Sequence, residues 1–246
     1  MFVRRHKLRA SPFRQILSIP GTVALYDPGR QIATGTTGQV LTDFSGRGNH
    51  GQLGSTSGED SNDPAWSDNA LVFDGTDDYV ECPVTKTAHF TWLVACKLAE
   101  TRAAHIVASD IGFSTGKGYV LGSYVTSGTL YLVSNAYEST PDKPVTDTVF
   151  PINTPVVVGM RFGTAIDRML GGAMVQTIPV VTSNTRWTAG LRIGASFRDP
   201  ISAQFRLFKG NFYYSQMFNR MLTDAEYMRA YWAVKSLLAS RGVALA

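Results

Sequence analysis

Cleavage of a sugar chain is the first chemistry that the acidic residues of this sequence bring to mind, because two carboxylates flanking a glycosidic bond can split it. The 246 residues include only the glutamates Glu59, Glu81, Glu100, Glu138 and Glu226. On a strand, two acids share a face when they stand two residues apart. Glu226 alone has an acid at that spacing, Asp224, and both belong to a helix-start pattern. Asp77 and Asp78 are adjacent, which on a strand would send them to opposite faces. Nucleophile patterns fare no better. Gly112-Phe113-Ser114-Thr115-Gly116 has the G-x-S-x-G form, but KGYVLGSY follows where a helix is required, and His6, His50, His89 and His105 all precede the serine. Gly118 occupies the Ser/Thr slot of a phosphate loop in the same stretch. The expectation is a protein without catalytic activity.

Recognition is better served. A flat aromatic ring suits the apolar side of a sugar, and Trp66, Trp187, Tyr79 and Tyr137 are the candidates. Trp66 leads them, since it lies in a polar loop with Asp63 and Asp68, whose carboxylates can accept hydrogen bonds from hydroxyls. The competing reading makes Trp66 an anchor that pins the loop 54–69 to the core. Trp92 belongs to a buried stripe.

Strands must position these residues. Phe90, Trp92, Val94, Cys96 and Leu98 alternate with Thr91 and Lys97, and Val156, Val158, Met160 and Phe162 alternate around Arg161. Period two is expected of a strand with one side packed and the other in water. Further apolar runs at 23–26, 70–73, 79–82, 118–121, 129–133, 172–178, 190–194 and 204–218 are separated by turn residues. Charged residues are only 17% and glycine is plentiful at 23 residues, as short strands and turns require. The pattern predicts an all-β protein, an antiparallel two-sheet sandwich over 21–222. A helix follows over 223–241: Thr223 and Glu226 form a capping box, and Tyr227, Tyr231, Val234 and Leu238 mark its apolar face. That face packs on its own domain or, at its far end, on a neighbouring subunit. No apolar run is long enough for a membrane-spanning helix. Cys82 and Cys96 read as small buried hydrophobes, reduced in an intracellular product.

Charge is uneven. Residues 1–20 carry Arg4, Arg5, Lys7, Arg9 and Arg14 with no acid, whereas 40–110 is strongly acidic. The basic start suggests an arm that docks on a negative partner. It is followed by no apolar stretch of signal-peptide length, so export is not expected. Nucleic-acid binding lacks interleaved aromatics or a recognisable motif.

Several segments resemble the laminin-G-like branch of the concanavalin-A-like lectin/glucanase superfamily. They are Val23-Ala24-Leu25-Tyr26-Asp27, then Asp43-Phe44-Ser45-Gly46-Arg47-Gly48-Asn49-His50-Gly51, then Ala70 to Val80 with its F-D-G-x-D-D-Y-V core. Arg192-Ile193-Gly194 and the closing Phe208-Lys209-Gly210 … Phe218-Asn219-Arg220 … Leu222-Thr223-Asp224-Ala225-Glu226 continue the series in family order. The resemblance implies a jelly-roll sandwich. Phe212-Tyr213-Tyr214-Ser215 stands where the family usually has Ile-Asp-Glu-Val, so any role of those acids is not carried over. Phage particles often carry this sandwich with an extended tail helix. The resemblance therefore implies a virion protein of tail, baseplate or capsid surface, oligomeric in the assembly and made in the host cytoplasm. Residues 1–20 and the helix would hold it to other virion subunits, and its loops would meet host glycan. The alternative is a polysaccharide-acting enzyme or secreted lectin of the same superfamily.

The D-F-S-G-R-G-N-H-G segment has two readings. One is a tight turn in which Asp43 and Ser45 cap backbone amides. The other is an oxygen-rich cation site, with Asp43, Asp74, Asp77 and Asp78 converging on calcium, an ion some relatives bind.

Overall fold

The computed structural model describes residues 11–84, 87–101, 104–109, 118–137, 148–179, 190–195 and 207–246. Along the chain these form α1 (Pro12–Leu17), β1 (Thr22–Tyr26), α2 (Pro28–Ala33), β2 (Val40–Leu41), β3 (Gly51–Leu53), β4 (Ala65–Ser67), β5 (Ala70–Asp74), β6 (Val80–Cys82) and β7 (Phe90–Leu98). There follow β8 (Ala104–Ser109), β9 (Gly118–Thr126), β10 (Thr129–Tyr137), β11 (Val156–Phe162), β12 (Ala165–Leu170), β13 (Ala173–Pro179), β14 (Leu191–Ile193), β15 (Lys209–Phe218) and α3 (Asp224–Ala239).

Two antiparallel sheets result. The first runs β13-β12-β11-β7-β15-β5-β4, with β1 also paired to β15, and the second runs β10-β9-β8-β14-β6-β3-β2. Their inner faces meet in one core. Phe90, Trp92, Val94, Cys96, Val158, Met160 and Phe212 come from the first sheet, and Leu53, Val80, Leu121, Leu132 and Ile193 from the second. The antiparallel sandwich expected from the alternation is present.

One expectation about its faces is corrected. The far side of β7 and β11 does not meet water. Leu93, Ala95 and Val157 are fully buried in a second apolar cluster with Tyr227, Ala230, Val234 and Leu238 of α3. α3 lies across the outside of the first sheet, so its central strands β7, β11 and β15 are buried on both faces. Arg161, on the same outward side, is buried too. Its Nη2 donates to Asp167 Oδ2 at 2.8 Å and its Nη1 donates to the Leu222 carbonyl at 3.1 Å. The capping box at the start of α3 is formed as the sequence predicts, and Tyr227, Tyr231, Val234 and Leu238 all face inward.

The beginning of the chain is also more folded than its charge suggests. Ser11 caps α1, and Ile16 and Ile19 are buried with Leu237, Leu238 and Leu245 at the far end of α3. Phe13 meets Phe44 edge-on at 6.2 Å, with the Arg30 guanidinium 4.0 Å from the Phe13 ring centre. Residues 11–20 are thus part of the folded body rather than a free arm; residues 1–10 lie outside the described residues. No helix among the described residues is long and apolar enough to cross a membrane.

Candidate functional site

A cleft of about 240 Å³ opens beside the edge strand β4 and the end of β3, lined by Gly38, Gln39, Leu53, Glu59, Asp60, Asp63, Pro64, Ala65 and Trp66. Trp66 stands in β4, the outermost strand of its sheet, paired with Leu71 of β5. Its Nε1–H donates to the Gly38 carbonyl at 2.9 Å, and its half-buried ring packs against the core. The packing of the ring on the core agrees with the anchor reading. The ring pins the segment around Gly38 to β4 and in doing so walls the cleft.

The floor is carboxylate. Asp63 Oδ2 accepts from Gln39 Nε2 at 2.8 Å and from the Asp60 amide at 2.9 Å. Asp63 Oδ1 and Gln39 Oε1 are buried and accept no hydrogen bond from the described residues. Asp60 accepts from Ser55 Oγ and from the Asn62 amide, both at 2.8 Å, and these donors hold its carboxyl below the usual range. Gly54 lets the loop close. Its φ of +59° is a left-handed conformation, and a Cβ there would lie 2.1 Å from Asp63 Oδ1. Gln39 was not legible as a site residue, since only the folded loop brings it beside Asp63.

Other candidates separate. Asp68 sits exposed, at φ +47°, in the turn between β4 and β5 and does not line the cleft. Tyr79 is 3% exposed and lies under the Arg192 guanidinium at 4.2 Å, so its ring is not open for stacking. Tyr137 ends β10, paired with Gly118 in the other sheet. Trp187 lies outside the described residues.

The acidic turn also needs correction. Asp74, Asp77 and Asp78 do converge, their carboxylate oxygens all within 4.8 Å of one another. They do so because 75–79 is a turn rather than a strand, so adjacency does not place Asp77 and Asp78 on opposite faces. Asp78 is 5% exposed, and burial, joined by the charges of Asp74, Asp77 and Asp63, pushes its carboxyl up to about 7, against the pull of the Asp74 amide that donates to it. Three hard oxygen donors fit a cation such as calcium. Asp43 stands apart from this group. Its two oxygens accept from the Leu25, Ser45 and Asn49 amides at 2.9, 2.8 and 2.9 Å and from Ser45 Oγ at 2.8 Å, which tie the turn to β1. Asp43 therefore performs the capping role.

No known family profile matches the chain, and no curated protein matches its sequence. Solved structures do. Domain 4 of AbnA, an extracellular arabinanase from Geobacillus stearothermophilus in complex with arabinotriose, is 14% identical with a TM-score of 0.60, the match covering 86% of this chain and 98% of that domain. Trypanosoma rangeli sialidase in complex with sialic acid is 13% identical with a TM-score of 0.64, and the match covers 89% of this chain and 36% of the sialidase. A mutant of that sialidase displaying trans-sialidase activity gives a TM-score of 0.65 at 13% identity over 92% of this chain and 37% of the other. The fold is a jelly-roll sandwich. At these identities the likeness concerns the fold, and this chain spans only about a third of the sialidase.

Proposed function

We propose that this chain is a non-catalytic recognition module that binds glycan through the Trp66 cleft. The carrying observation is the bond from Trp66 Nε1 to the Gly38 carbonyl, which holds an aromatic wall beside a carboxylate floor. An aromatic body supplies apolar contact to a sugar ring, and carboxylate oxygens accept hydrogen bonds from its hydroxyls. The likeness to an arabinanase domain in complex with arabinotriose supports the same reading. Support for a non-catalytic role comes from the glutamates, since Glu81, Glu100 and Glu226 are paired with Arg192, Lys209 and Arg220.

The finer reading places the module on a phage particle, at the tail, baseplate or capsid surface, made in the host cytoplasm and presented in several copies to host glycan. It rests on the sequence resemblance and on the basic start of the chain. Attachment would use residues 1–10, beyond the part of the arm that packs on α3, together with the outward side of α3, where Trp232 is 54% exposed. Purified chain on a glycan array is expected to bind without creating new reducing ends, and Trp66→Ala to lose that binding. Absence of any binding would defeat the reading. Removal of residues 1–10 is expected to release the protein from particles without changing its thermal stability.

A second reading, hydrolysis, has one observation behind it. Asp78, pushed up to about 7, stands beside Asp74 and Asp77 at separations within 4.8 Å, and an acid paired with a close carboxylate is what glycoside cleavage uses. New reducing ends that vanish in Asp78→Asn would establish it.

A further inference from the structure

We propose that the Trp66 cleft selects sugars bearing hydroxyl groups and no charge, and rejects sugars bearing a carboxylate. The proposal rests on the glycan-binding reading and adds the chemical class of the ligand. Among the described residues that line the cleft, Glu59, Asp60 and Asp63 are acids and none is lysine, arginine or histidine. Asp60 is stabilised as the anion by Ser55 Oγ and the Asn62 amide. Asp63 shares one oxygen between Gln39 and the Asp60 amide, while its Oδ1 receives no donor from the described residues, so its charge is only partly offset.

A ligand entering this field meets acceptors and no counter-charge. Sugar hydroxyls can donate to the carboxylates in charge-assisted hydrogen bonds. A sugar carboxylate has no proton to donate and must approach like charges in a partly dry cleft, where repulsion is less screened than in water. The cleft of about 240 Å³ is smaller than the roughly 300–1,000 Å³ of sites for larger ligands and suits a single ring at a time.

Calorimetric titration of the full chain at low salt tests this. The neutral probes are arabinotriose, maltotriose and cellotriose; the acidic ones are trigalacturonate and sialyllactose. At least one neutral probe is expected to bind, with both acidic probes roughly tenfold weaker or more. In Glu59→Gln the ratio between the two classes should shrink, and added salt should shrink it further. Acidic probes that bind as tightly as neutral ones, in a manner lost in Trp66→Ala, would overturn the charge selection and leave glycan binding standing. Binding by no probe, or binding that survives Trp66→Ala, would remove the site and the selection together.

Discussion

Arg241 reaches back from the end of α3 to Asp27 at the end of β1, its Nη2 donating to Asp27 Oδ2 at 2.8 Å while Nη1 meets Oδ1. Asp27 is 0% exposed and also caps α2 by accepting from the Arg30 amide at 3.0 Å. One carboxylate therefore starts a helix and fastens the covering helix to the sheet. Removing one partner from such a pair strands a buried charge, at a cost of about 3–5 kcal/mol. Arg241→Ala is expected to lose about 3 kcal/mol in urea unfolding. Unchanged stability would mean that α3 is held by its apolar face alone.

Asp78 should make stability depend on pH in an unusual direction. Its carboxyl is raised from 3.8 to about 7 in the folded chain, so folding favours its protonated form. That contribution is fully present below about pH 4 and is lost as pH rises through about 7. Asp78→Asn keeps an oxygen for the Asp74 amide and removes the charge. The variant is expected to melt a few degrees higher than the parent at pH 8, a gain of about 1–2 kcal/mol after allowing for solvent screening. The difference should fade towards pH 4. A parent and variant with parallel pH profiles would disprove the assignment.

Tyr227 carries a buried hydroxyl with no hydrogen-bond partner among the described residues. Tyr227→Phe removes a desolvated group without opening a cavity, so its stability should be equal to or up to about 1 kcal/mol above the parent. The ring itself presses on β11. A Cβ at Gly159 would come 2.6 Å from the Tyr227 hydroxyl and 2.9 Å from the Trp92 carbonyl. Gly159→Ala is therefore expected to lose about 2 kcal/mol or more. In Tyr227→Phe the same alanine should cost less, a coupling that a double-mutant cycle in urea would read.

Gly54 is the matching constraint at the cleft. Alanine there must take a left-handed backbone and displace Asp63, whose Oδ1 lies 2.1 Å from the new Cβ position, with Asp60 Oδ1 at 2.8 Å. Gly54→Ala is expected to cost about 1–3 kcal/mol and to abolish binding of the neutral trisaccharides while leaving the sandwich folded by circular dichroism. Retained binding would show that the Asp60–Asp63 loop does not shape the site.

How far the sequence reaches depends on the range of the forces involved. The D-F-S-G-R-G-N-H-G turn and the Thr223–Glu226 capping box are local patterns set by near neighbours, and the alternation in 90–98 and 156–162 located two strands correctly but not the burial of their outer faces. The short strands Val40–Leu41, Gly51–Leu53 and Ala65–Ser67 and the two short helices Pro12–Leu17 and Pro28–Ala33 carry too few residues to show a period, and pairing or capping alone creates them. At the site, Trp66 and Asp63 were legible as an aromatic beside an acid in a polar loop. Gln39, 24 positions from Asp63, was not.

What the chain alone determined is therefore the class of fold and the helix that closes it: periodic burial and helix capping are written in consecutive residues. Tertiary structure alone decided which faces are wet. α3 and α1 close over the outer side of the first sheet, Asp43 turns to backbone capping while Asp74, Asp77 and Asp78 gather without it, and Gln39 meets Asp63 behind Trp66. Those outcomes depend on burial and charge proximity between residues far apart in sequence, and only the folded chain brings them together.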